Sequence, residues 1–254
     1  MNPELNGVWE HMLELATGAL AHANRHSCYS DPQTPRWKEQ AVLQAAHAAE
    51  LMLKARIAQE HPLLIFEQLP KPQPGEPALL DIQDLFERGR TYQWTELPAR
   101  LWATTGLRLQ HEELFVSFGR LRNVIQHFAA PEARDVGGET IDFVFRVLDP
   151  FMNECWGLCA IDYDEDTSPY EYLTAAVVGR GLLFHVSQGA ARRAGSWDVS
   201  WESMDPAYRG EMERRVDAAW ATIDEVPEKS DFTRRFRDGE RQRWEACKVN
   251  KVDR

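Results

Sequence analysis

Apolar positions recur at spacings of three and four along most of the chain, and sustained alternation of period two is absent. Leu5, Val8, Trp9, Met12, Leu13, Leu15, Ala16 and Leu20 mark an amphipathic helix over residues 5–26. The segment 30–35, SDPQTP, reads as a turn and helix entry, with Pro35 suited to a first helical turn. From Trp37 to about Glu60 the chain is rich in Ala, Leu, Glu, Gln and Lys, with no Gly or Pro, which predicts a long, strong helix. A proline-stiffened connection follows at 70–77, then shorter helices at about 79–89 and 95–105, the second closed by Gly106. Further helices are expected at 111–129 and 139–158, the latter kinked where Pro150 removes a donor. Asp135–Glu139 reads as a turn between them. The acidic turn 162–169 marks a boundary. Beyond it lie helices at about 169–189, 206–226 and 231–247, interrupted by an irregular Trp-bearing stretch. The expected fold class is all-α, an up-and-down helical bundle over residues 1–156 with a C-terminal helical extension, 157–254, packed on the same core.

Composition narrows the class. The 254 residues are 43% hydrophobic and 27% charged, a globular balance. Net charge is -11, with 40 Asp+Glu against 29 Lys+Arg, which disfavours a protein that coats nucleic acid through its overall field. An enzyme with a few basic groups at one site remains open. The charge is uneven: from Lys229 onward there are nine basic residues and five acidic ones, a solvated helix face or a docking surface for an acidic partner or RNA. The apolar runs are too short to span a membrane, and the first residues carry acids early, without the pattern of a signal peptide. Four cysteines, Cys28, Cys155, Cys159 and Cys247, are too few for a disulfide framework, so a reduced, cytoplasmic protein is expected.

The strong phosphate-loop, zinc-protease and nucleophile-elbow motifs are absent. Cys155 and Cys159 read as two small buried groups sharing one helix face. His22 and His26 stand one helical turn apart with no obvious third ligand, and read as surface or capping histidines. No cofactor and no metal are expected. One segment gathers chemistry: Arg120-Leu-Arg122-Asn123-Val-Ile-Gln-His127-Phe128. Asn123 and His127 lie about 40° apart on a helix, and Arg120 within about 20° of His127. Arg122 points about 140° away but has the longest reach. An imidazole, an amide and one or two guanidiniums suit RNA cleavage without a metal. The histidine serves as general base on a 2'-hydroxyl or general acid to the leaving 5'-oxygen, and the arginine holds the scissile phosphate. His47, Glu50 and Lys54 line up on the long helix as further candidates for the cleft, or as a solvated face with an i,i+4 ion pair.

This segment resembles the signature of the HEPN superfamily (higher eukaryotes and prokaryotes nucleotide-binding domain). There an Arg and a His are separated by four to six residues, commonly with Asn directly after the Arg. Arg122-Asn123 with His127 fits the four-residue form and Arg120 with His127 the six-residue form, so either arginine fits. The helix 47–61, HAAELMLKARIAQEH, is similar to the second helix of many such domains. Loose matches also occur at Arg56/His61 and Arg180/His185. Composition predicts about two chance matches to the loose spacing, but roughly 0.02 once Asn must follow the Arg. The resemblance implies a four- or five-helix bundle that forms a homodimer with its motif helices face to face. It implies metal-independent endoribonuclease activity leaving a 2',3'-cyclic phosphate, a toxin or antiviral role, and control by an antitoxin or sensor protein. Its catalytic residues would be Arg122, His127, Asn123 and Arg120. The alternative is an inactive scaffold that binds a nucleotide or a protein partner.

Overall fold

The computed structural model describes residues 3–29, 33–71, 80–129, 134–165, 170–224 and 231–249. Most of the proline-rich connection at 70–77, residues 30–32 of the first turn, residues 166–169 of the acidic turn and Lys229 lie outside that set. The fold is an all-α bundle. Its helices are α1 (Val8–Cys28), α2 (Trp37–Glu60), α3 (Ile82–Arg88), α4 (Leu97–Thr105), α5 (Glu112–His127), α6 (Val136–Phe143), α7 (Asp149–Trp156), α8 (Glu171–Gly179), α9 (Gln188–Arg193), α10 (Pro206–Asp224) and α11 (Asp231–Val249). Among the described residues the strands are a short antiparallel pair, β1 (Phe66–Gln68) and β2 (Arg90–Thr91), too short to leave a period-two signal. No helix among the described residues is long and apolar enough to cross a membrane.

α2 is the central element, packed against α1, α4, α5 and α6. Its alanines explain how. Ala41, Ala45, Ala46, Ala48, Ala49, Ala55 and Ala58 are buried around most of its circumference, and such small side chains let neighbouring helices approach closely. His47, Glu50 and Lys54 form one polar stripe along α2. One continuous apolar cluster runs from Ala16 through α2 and α5 to Trp220 and Trp244, so side chains on both sides of residue 156 share a core. Two stacked ring pairs seat α5: Trp94 on Phe115 at 4.0 Å and Phe118 on Phe143 at 3.9 Å.

The interruption expected at Pro150 within the helical stretch 139–158 is present, and three other local expectations are corrected. α6 passes into α7 through a π turn at Val144–Leu148, directly before Pro150, which places the wide turn where proline would leave a carbonyl without its donor. α6 also begins at Val136, capped by Asp135, where a turn is expected. The helix at 169–189 is broken. α8 ends at Gly179, Gly181 adopts φ 65°, and residues 182–187 run as irregular chain to α9. Cys155 and Cys159 do not share a helix face, because Gly157 at φ 66° terminates α7 between them. Burial pushes both thiols up to about 12, and all four cysteines are free. The basic C-terminal helix α11 is partly neutralised by pairing: Arg241 meets Asp224 and Glu245, Lys248 meets Asp217 and Glu245, and buried Glu240 receives Arg192.

Candidate functional site

α5 presents two unlike faces. Phe115, Phe118, Gly119 and Leu121 are buried, with Ile125 packed at their edge. At 100° per residue, Arg120, Asn123 and His127 fall within about 40° of the direction opposite Phe118. All three are exposed. Arg120 makes no ion pair with a described residue, and His127, the last residue of the helix, has no hydrogen-bond partner there. Apolar groups flank the imidazole on this open face: Val124 is 44% exposed and Phe128 90%. The strip is thus polar along its centre, with uncovered apolar surface beside it.

Arg122 belongs to the inner edge, as its helical angle requires, and its length brings it back toward Asn123. Its guanidinium donates to Asn123 Oδ1 at 3.0 Å, to Gln126 Oε1 at 3.3 Å and to Glu50 Oε2 at 3.3 Å, and lies 5.7 Å over the Trp94 ring. The structure therefore joins Arg122 and Asn123, and leaves His127 and Arg120 separate from that pair on the outer face. Of the three α2 residues, His47 is exposed, while Glu50 bridges Arg122 and Lys54, whose ammonium lies 2.6 Å from Glu50 Oε1 and 3.1 Å from Thr91 Oγ1. The i,i+4 ion pair is present, but Lys54 is buried rather than solvated. A buried cation needs such a partner, so Glu50 has a structural task beside any role toward Arg122.

Gly119 makes this arrangement possible. A Cβ there would sit 2.2 Å from Trp94 Nε1, the atom that donates to Phe115 O at 3.1 Å. Gly119→Ala is expected to destabilise the chain by about 1–3 kcal/mol through overpacking. That outweighs the roughly 1 kcal/mol that alanine gains over glycine inside a helix. Chemical denaturation measures the difference, and a neutral or stabilising result would show that Trp94 yields freely.

The other loose Arg/His pairs are structurally engaged. Arg56 binds Glu60, and His61 Nδ1 accepts from Leu63 N at the start of a 3-10 turn. Arg180 pairs with Asp135 and Asp142, which raises its pKa. His185 Nδ1 lies 2.8 Å from the buried Asp149 carboxylate. The third partner of His22 and His26 is missing from their own segment but present in the fold. Glu165, which follows α7 in the sequence, places Oε2 2.7 Å from His22 Nδ1. Among the described residues, these three side chains are grouped closely enough to hold a metal ion. Local spacing gives no signal of that carboxylate, because it is brought in by the tertiary fold. No family model matches the chain, and neither a curated protein nor a solved structure does.

Proposed function

We propose that this chain is a metal-independent endoribonuclease of the HEPN type, active as a homodimer through the outer face of α5 and serving as a toxin or antiviral effector. The observation that carries the reading is the open strip of Arg120, Asn123 and His127, flanked by exposed Val124 and Phe128, with Arg122 held beside Asn123. A second copy laid on this face would cover the apolar flank and bring two imidazoles to one cleft. There His127 takes the proton of a 2'-hydroxyl, whose oxygen attacks the adjacent phosphorus. The bond to the 5'-oxygen breaks, that oxygen takes a proton from the second imidazole, and a 2',3'-cyclic phosphate and a 5'-hydroxyl remain. Arg122 stabilises the charge that builds on the phosphate. A net charge of -11 per chain leaves this local cluster to hold the RNA, which favours exposed single-stranded loops over duplex surface.

The test is cleavage of total RNA by the purified protein in EDTA, with the chemistry of the new ends read out. Cyclic phosphate ends support the reading. No cleavage, with harmless expression in cells, favours the inactive scaffold. Arg122→Ala is expected to lose about 100-fold in activity. Arg120→Ala should lose less, since Arg122 adjoins Asn123 and is positioned by three acceptors. A larger loss at Arg120 would place the working guanidinium on the outer face instead.

A further inference from the structure

We propose that His22, His26 and Glu165 bind one zinc ion, with water at the fourth position, and that the ion clamps the segment after residue 160 onto α1. The two histidines are one helical turn apart on α1, with ring centroids 5.8 Å apart. The Glu165 carboxylate reaches them from a segment more than a hundred residues away. One ligand atom from each of the three lies within 4.8 Å of the other two. Tetrahedral zinc, with bonds of about 2.0–2.2 Å, sets its ligand atoms roughly 3.3 Å apart. The 2.7 Å contact between His22 and Glu165 must therefore open slightly and the longer separations close. His22 and Glu165 are both exposed and have room for that adjustment.

The surroundings are built before any ion arrives. The His26 ring stacks on Trp37 at 4.6 Å, which fixes its plane. Asn24 Nδ2 donates to Ala160 O at 3.1 Å and to Tyr163 O at 2.7 Å, tying the segment that leads to Glu165 to α1 without help from either histidine. The independent sign of a ligand is at His26 itself. Its Nδ1 is buried, with no hydrogen-bond partner among the described residues. Such an atom is costly to leave unsatisfied. Two imidazoles and one carboxylate suit zinc rather than calcium or magnesium, which take oxygen ligands. The site is also remote from α5. Along α2, Trp37 and Glu50 are about 20 Å apart at 1.5 Å per residue. The ion is thus a staple of the fold, independent of the proposed cleavage chemistry.

The test is titration of the chelator-stripped full chain with zinc by calorimetry, and with cobalt(II) by absorption spectroscopy. Wild type is expected to bind one equivalent of zinc, and its melting temperature to rise with zinc. His22→Ala, His26→Ala and Glu165→Gln should each weaken binding roughly 100-fold or more. His26→Ala should show no zinc-dependent rise in melting temperature, while Glu165→Gln melts like the metal-free wild type, showing that its fold is intact. Zinc binding equally tight in wild type and in His22→Ala/His26→Ala would overturn the proposal. So would thiolate-to-cobalt charge-transfer bands that persist in the histidine variants, which would move the site to a cysteine.

Discussion

Replacing His127 with alanine is expected to lower RNA cleavage about 10²–10⁴-fold, the range that a positioned general acid–base group contributes. Stability should stay within about 0.5 kcal/mol of wild type, because an exposed side chain without a hydrogen-bond partner contributes little to folding. The pairing of those two results is what discriminates. His127 closes α5 at a point where the core is already complete: Phe115, Phe118 and Leu121 are buried further back, and Ile125 packs at the edge. Loss of activity with an unchanged melting curve is therefore a chemical effect. A second variant separates chemistry from assembly. Phe128→Asp keeps the imidazole but places a charge on the most exposed apolar group of the strip, and should lose activity together with the dimer. If Phe128→Asp stays dimeric and active, the open face of α5 is not the interface. A dimer with its two His127 side chains more than about 15 Å apart would likewise remove the composite site, since both must reach one phosphate.

The limits of α2 were legible from composition alone, and those of α5 nearly so, because each is set by a local rule: a breaker-free run in one and an apolar stripe in the other. The position of Arg122 was half legible. Its helical angle puts it away from His127, but its hold on Asn123 depends on Glu50, some seventy residues earlier, and so on how α2 meets α5. The run 181–186, GLLFHV, shows the opposite case. It has the hydrophobicity of a buried helix, yet its backbone is satisfied from outside. Tyr208 Oη donates to Leu182 O at 2.9 Å, Arg215 donates to Phe184 O at 2.8 Å, and His185 N donates to Asp149 at 2.8 Å. Groups so distant in sequence leave no trace in local periodicity. Glu165 escaped for the same reason: the helical spacing of His22 and His26 is a local signal, and the carboxylate that joins them is not.

Those distant contacts single out Asp149 as the polar position whose loss should cost much stability. Its side chain is 1% exposed. Oδ1 accepts the Ala160 amide at 2.9 Å, and Oδ2 meets both the amide and Nδ1 of His185 at 2.8 Å. One carboxylate thus fixes the chain after α7 and the irregular segment before α9. Asp149→Ala strands two backbone donors, at about 1–3 kcal/mol each, and is expected to cost about 3–5 kcal/mol in all. In a domain of this size that lowers the melting temperature by roughly 6–20 °C. Asp149→Asn keeps the shape but can accept through one oxygen only, so it should recover part of the loss. His185→Ala removes the imidazole yet leaves both amide bonds, and should cost less than either. That ranking carries the claim. If His185→Ala were as damaging as Asp149→Ala, the imidazole contact rather than the backbone anchoring would hold the segment. Hydrogen exchange adds the location: in Asp149→Ala the amides of 160 and 185 should lose protection while the α1–α2 hairpin keeps it, because the Ala-rich seam between those helices does not pass through Asp149.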